Sequence, residues 1–160
     1  MHSIHLLLSL ALAAPARPAP AESDSISFSA TGAFFALSVP DLAASTRWYA
    51  EKLGLTVVMQ PPRTDKMAVA ILEGGGLIVE LIQNDDAVPL SAAAPAVKDR
   101  VYVHGIFKVG VIVEDFDATL ARLKARGVEI AYGPYPKQGA QRANAIIRDN
   151  AGNLIQLFGK

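Results

Sequence analysis

Beyond residue 33, short apolar runs alternate with stretches of helical spacing, and the same series of signals occurs twice. The run 34–39 leads into Pro40, Asp41 and Leu42; the run 108–113, offset by 74 residues, leads into Glu114, Asp115 and Phe116. A helical stretch ending in glycine follows each time: 42–53 before Gly54, and 116–126 before Gly127. Leu42, Tyr49 and Leu53 form one stripe, and Phe116, Leu120 and Leu123 another, so each helix buries a single face. Asp41 and Asp115 suit N-caps, where a carboxylate accepts from the free amides of the first turn. Gly54 and Gly127 suit the left-handed position that closes a helix.

The remainder of each copy also corresponds. Ala68-Val69-Ala70-Ile71-Leu72 matches Ala143-Asn144-Ala145-Ile146-Ile147 at an offset of 75. Turns at Gly74-Gly75-Gly76 and Asp149-Asn150-Ala151-Gly152 then lead into 77–81 and 153–157, at an offset of 76. Short runs at 56–59 and 128–131 supply one more strand each, so a module reads strand, helix, strand, hairpin. The fold class expected is α+β, with two βαβββ modules at 32–84 and 106–160 forming a curved mixed sheet around a central cleft. The connector 85–105 is rich in Ala, Pro, Asp and Ser, with one helical turn expected at 92–98; Tyr132-Gly133-Pro134-Tyr135-Pro136 either places aromatics over the cleft or forms a rigid loop packing on the sheet.

Because strands alternate faces, residues sort onto two surfaces. Phe35, Leu37 and Val39 oppose Phe34, Ala36 and Ser38; Val109, Val111 and Val113 oppose Lys108, Gly110 and Ile112. The uniformly bulky set is the one to pack on the helix. On the second face, Glu80 and Gln156 hold equivalent places in the copies, flanked by Ile78 and Ile82 and by Leu154 and Phe158. A carboxylate there needs a cation or donor, and Lys108 is the expected partner.

Composition narrows the function classes. A formal net charge of zero gives no electrostatic footprint for nucleic acid or an anionic membrane. The lack of cysteine removes disulfides, thiolate metal sites and thiol nucleophiles. The N-terminal run 4–14 is too short to span a bilayer and is followed by Ala14-Pro15-Ala16 and Ala19-Pro20-Ala21, small-x-small sites for a signal peptidase. Residues 1–21 are therefore expected to be a signal peptide, 22–31 a polar arm, and the mature protein periplasmic or secreted.

Val39-Pro-Asp-Leu, Ser45-Thr-Arg-Trp48-Tyr49 with Leu53-Gly54-Leu55, Val79-Glu80-Leu81, and the run 148–157 resemble the signatures of the vicinal oxygen chelate superfamily (glyoxalase, bleomycin-resistance and dioxygenase proteins). The resemblance covers 32–158. In metal-dependent glyoxalase I members it implies a metal held by His or Gln on the first strand and Glu on the last strand of each module. Those positions fall at Phe34, Glu80, Lys108 and Gln156. Phe34 has no donor atom, Lys108 bears a positive charge, and Gln156 is a weak neutral ligand. No metal or other cofactor is therefore expected. His104, four residues before Lys108, is the one histidine outside the N-terminal segment and a candidate at the cleft mouth.

The reading that follows is an exported, metal-free binding protein. Its small amphipathic ligand would meet Phe34, Glu80, His104, Lys108, Gln156 and Phe158, with Arg142 and Asn144 nearby. Two other classes stand beside it. One is a glyoxalase-, lyase- or isomerase-type enzyme, with Glu80 as base and Lys108 stabilising an enolate oxygen. The other is a structural or interaction module, in which Glu80 and Lys108 form an ion pair. Modules of this superfamily pair within or between chains, so a homodimer is open.

Overall fold

The Asp residues that open each helix set its direction. In the computed structural model, which describes residues 32–160, Asp41 accepts a hydrogen bond from the amide of Ala44 at 2.9 Å. Asp115 accepts one from Ala118 at the same distance. From these caps run α1, Leu42–Trp48, and α3, Phe116–Ala125. The stretch expected to be one α-helix over 42–53 changes pitch part-way: α1 passes into a π-helical turn, Tyr49–Leu53, before Gly54 closes it at φ +76°. The expected signal segment, 1–21, and the arm 22–31 lie outside the described residues.

Each helix lies on a four-stranded mixed sheet. The first contains β1 (Phe34–Ser38), β2 (Thr56–Met59), β3 (Met67–Gly74) and β4 (Leu77–Asn84) in the order β1-β4-β3-β2. The second contains β5 (Val109–Val113), β6 (Glu129–Tyr135), β7 (Asn144–Arg148) and β8 (Leu154–Gly159) in the equivalent order β5-β8-β7-β6. The first strand of each module pairs in parallel with the last, and the other pairs are antiparallel. This is the α+β, two-module architecture expected from the repeat. Gly75 and Gly76, both at positive φ, make the two-residue hairpin turn between β3 and β4.

Two local expectations change. The connector helix, α2, is Leu90–Ala93 rather than a turn at 92–98. Pro95 forces its predecessor out of the helical region, and Ala94 accordingly leaves it at φ −143°, ψ 72°. A 3₁₀ turn at Arg100–Tyr102 follows, with Asp99 accepting from the amide of Val101 at 3.0 Å. The Tyr132–Tyr135 stretch is not a separate loop but the end of β6. Tyr132 pairs with Ile146 and Tyr135 with Asn144, and the register slips between them. Pairing with β7 thus overrides the local Gly-Pro signal by absorbing it in a bulge.

The core lies on the helical side of both sheets. Val39, Leu42, Tyr49, Leu72, Val79 and Leu81 from the first module are continuous with Phe116, Leu120, Leu123, Ile147, Ile155 and Leu157 from the second. Polar contacts follow the same seam. Tyr49 Oη donates to Asp149 Oδ2 at 3.0 Å, and Asn150 Nδ2 donates to Ser45 Oγ at 3.1 Å. Lys52 Nζ donates to the Arg126 carbonyl at 2.5 Å, and Arg126 Nη1 donates to the Lys52 carbonyl at 2.8 Å. The modules of one chain therefore meet through their helix-bearing sides, and the opposite faces of the two sheets are left open.

Candidate ligand-binding face

The period of two along β1 and β5 decides which side chains reach the open faces. Phe35, Leu37, Val109, Val111 and Val113 pack on the core, whereas Phe34 is 66% exposed and Ile112 65% exposed. Register extends each face sideways. In the first module Ala36 sits opposite Glu80, Glu80 opposite Ile71, and Ile71 opposite Met59. In the second, Gly110 sits opposite Gln156, Gln156 opposite Ile146, and Ile146 opposite Tyr132. The two rows are equivalent: a small residue on the first strand, a polar one on the last, then two bulky apolar or aromatic neighbours. Ala36 and Gly110 leave the polar group of each row without a tall neighbour on one side.

A parallel row places Phe34 beside Ile78, and another joins Ile112, Phe158, Asn144 and Tyr135. The faces are thus mainly apolar, with Glu80 and Gln156 half-buried near their centres. Tyr132 and Tyr135 belong to this surface, one of the two places the sequence left open for them, because β6 continues through them.

The expected Glu80–Lys108 ion pair is not formed. Among the described residues four ion pairs occur, and neither side chain takes part in any of them. Lys108 instead holds its ammonium 5.6 Å from the centroid of the Phe107 ring. The physical reason is the docking of the modules: with their helical sides together, the two open faces do not confront each other in one chain. Glu80 and Lys108 therefore do not form the core ion pair of the interaction-module reading.

Gln156 and Asn144 do come together. Gln156 Nε2 donates to Asn144 Oδ1 at 3.1 Å, and Asn144 Nδ2 donates to the Arg142 carbonyl at 3.1 Å. Asn144 is buried, so it fixes the Gln156 amide rather than standing at a solvated strand edge. Arg142 is exposed and joins this chain only through its backbone. His104 is exposed in the connector and hydrogen-bonds no other described residue through its ring.

Residues 33–157 match the model of the Glyoxalase/Bleomycin resistance protein/Dioxygenase superfamily. The chain belongs to this superfamily. Its fold is shared with a glyoxalase/bleomycin resistance protein/dioxygenase domain from Frankia sp. EAN1pec, at 23% identity over 83% of this chain and 93% of that one, TM-score 0.63. A glyoxalase family protein from Enterococcus faecalis is similar at 20% identity over 78% and 94% of the two chains, TM-score 0.63. An antibiotic-binding protein, TnmS3, from Streptomyces sp. CB03234 is similar at 23% identity over 82% and 98%, TM-score 0.55. No curated protein matches the chain.

The metal site of the superfamily's glyoxalase I members can be tested against the residues present. Glu80 is the sole anionic donor of the four equivalent positions; Phe34 offers no lone pair, Lys108 is a cation over Phe107, and Gln156 is engaged with Asn144. Among the described residues no three His, Cys, Asp or Glu side chains converge in a group that would hold a metal. A divalent ion requires several carboxylate or imidazole donors, so these residues do not fit it.

Proposed function

We propose that this chain is an exported, metal-free binding protein that holds a small amphipathic molecule against the open faces of its sheets. The observation that carries this reading is the pair of equivalent rows. Each sets one polar group, the Glu80 carboxylate or the Gln156 amide, among apolar neighbours on a face left open by the fold. Apolar walls with a few placed polar groups are what small-molecule sites are made of. TnmS3, an antibiotic-binding protein of similar fold, supports the same class of activity here.

A second copy completes the site in this reading. One chain exposes a first-module face and a second-module face that point away from each other. A twofold pairing sets the first-module face of each copy opposite the second-module face of the other and closes two identical clefts. Phe34 and Ile112, each about two-thirds exposed, are then covered. The apolar run and small-residue sites of the first 21 residues support export.

Light scattering on the purified protein, metal analysis, and thermal melting with a panel of small amphipathic antibiotics test the proposal together. A dimer without stoichiometric metal, stabilised by at least one compound, is expected. Saturation at about a hundred times Kd adds about 2.7 kcal/mol. Phe34→Asp should give monomers and abolish the ligand-induced shift. A bound divalent metal, a monomeric protein, or turnover of a glutathione hemithioacetal lost in Glu80→Gln would each overturn it. Mass measurement of the mature N-terminus tests export.

A further inference from the structure

A cavity lies in the seam where the modules dock, with Val111, Ile112 and Val113 of β5 along one wall. Its volume is about 220 Å³. The floor is apolar and buried, made by Leu55 of the first module with Leu123, Ile155 and Leu157 of the second. Three basic side chains, Lys52, Arg122 and Arg126, also line it, and both arginines are exposed. They form its rim.

None of the three is in an ion pair among the described residues. Lys52 and Arg126 donate to each other's backbone carbonyls, which holds both heads at the mouth without neutralising either charge. Arg122 Nη2 donates to Thr119 Oγ1 at 3.1 Å, another uncharged acceptor that fixes the guanidinium beside the opening. A greasy floor under three oriented, uncompensated cations has one complementary class of occupant: an anion with an apolar body.

We propose that this inter-module cavity binds a small carboxylate with an aliphatic or aryl tail, its head at Arg122 and Arg126 and its tail against Leu55 and Ile155. Size agrees. An apolar cavity of roughly 150 Å³ takes benzene, so this one takes a tail of medium chain length while the head stays at the mouth. The guanidinium forks of Arg122 and Arg126 can take the two oxygens of a carboxylate side-on while its apolar body is buried. The occupant bridges the modules, so it also stabilises their docking. Apart from Ile112, which borders both, its lining is distinct from the open-face residues, and the proposal does not rest on the open-face reading.

Octanoate and its neutral twin 1-octanol are the probes, used with the full chain. Octanoate should move the backbone amide resonances of Leu55, Thr119 and Leu123 and leave those of Phe34, Glu80 and Gln156 in place. It should bind about tenfold tighter than 1-octanol by calorimetry, and the preference should shrink at high salt. Arg122→Gln, at an exposed position, should weaken octanoate about three- to tenfold, while Arg122→Lys, which keeps the charge but loses the fork, should fall between it and the parent. Equal affinity for acid and alcohol would refute the anionic head. Shifts at Phe34 and Gln156 in place of Leu55 and Leu123 would refute the location. No saturable binding at millimolar octanoate, or an Arg122→Gln protein that binds it unchanged, would refute the site.

Discussion

Replacing Tyr49 by Phe tests whether a single polar contact fastens the two modules. Tyr49 is fully buried, and its hydroxyl donates to Asp149 Oδ2 across a separation of 100 residues. The substitution removes one oxygen and leaves the ring in place, so packing is largely conserved. Asp149 keeps its other donors: the amides of Ala151 and Asn153 on Oδ1, and Asn153 Nδ2 on Oδ2. The carboxylate is therefore not orphaned, and the loss should sit at the lower end of the range for a hydrogen bond to a charged group, about 1.5–2 kcal/mol. For a domain of this size that corresponds to a fall in Tm of about 5–8 °C. Urea unfolding followed by circular dichroism should show a lower midpoint with an unchanged slope. Combining Tyr49→Phe with Asp149→Asn in a double-mutant cycle should return a coupling of about 1 kcal/mol or more. A single variant within about 0.5 kcal/mol of the parent, which is the usual range for surface changes, would refute the role given to this contact.

The same residue gives an alkaline signature. Burial first, then the Asp149 charge and the hydrogen bond to it, push the Tyr49 hydroxyl far above the ordinary tyrosine range. Its protonated form is favoured in the folded state, so the stabilisation is complete below the unfolded value near 10 and declines as pH rises beyond it. Ultraviolet titration should show one tyrosine ionising only when the chain unfolds, and Tyr49→Phe should remove that late step; a gradual titration of every tyrosine before unfolding would contradict it. In β6, a Cβ on Gly133, at φ +85°, would lie 3.0 Å from Tyr135 N and 3.2 Å from the Asn144 carbonyl. Gly133→Ala should cost about 2–3 kcal/mol in a urea titration. Gly139→Ala, left-handed at φ +57° but with open space around it, should cost about 1 kcal/mol; equal losses would show that the close approach in β6 is unimportant.

Much of the fold was legible because its signals are local or repeated. The Asp41 and Asp115 caps, the helix-closing Gly54 and Gly127, and the alternating faces of β1 and β5 act over a few residues, and each occurs twice at nearly constant offset. The superfamily signatures lie on those same segments, so membership was legible too. The connector helix was misplaced although Pro95 marks its end. The extension of β6 was concealed for a different reason: Gly133 and Pro134 read as a loop locally, and only the ladder to β7 keeps them in a strand.

Alternation in the sequence determined which residues share a face, and hence that Glu80 and Gln156 are equivalent and lie on the side opposite the core. It did not determine what that side would face. The separation of Glu80 from Lys108, the buried Tyr49–Asp149 contact and the basic rim of the inter-module cavity all depend on which surfaces the modules bring together. Those surfaces are chosen by burying the two apolar helical sides in one core, a free energy summed over residues far apart in the chain. Period and spacing carry no record of such a sum, so the site's chemistry was readable position by position while its assembly was decided by tertiary structure.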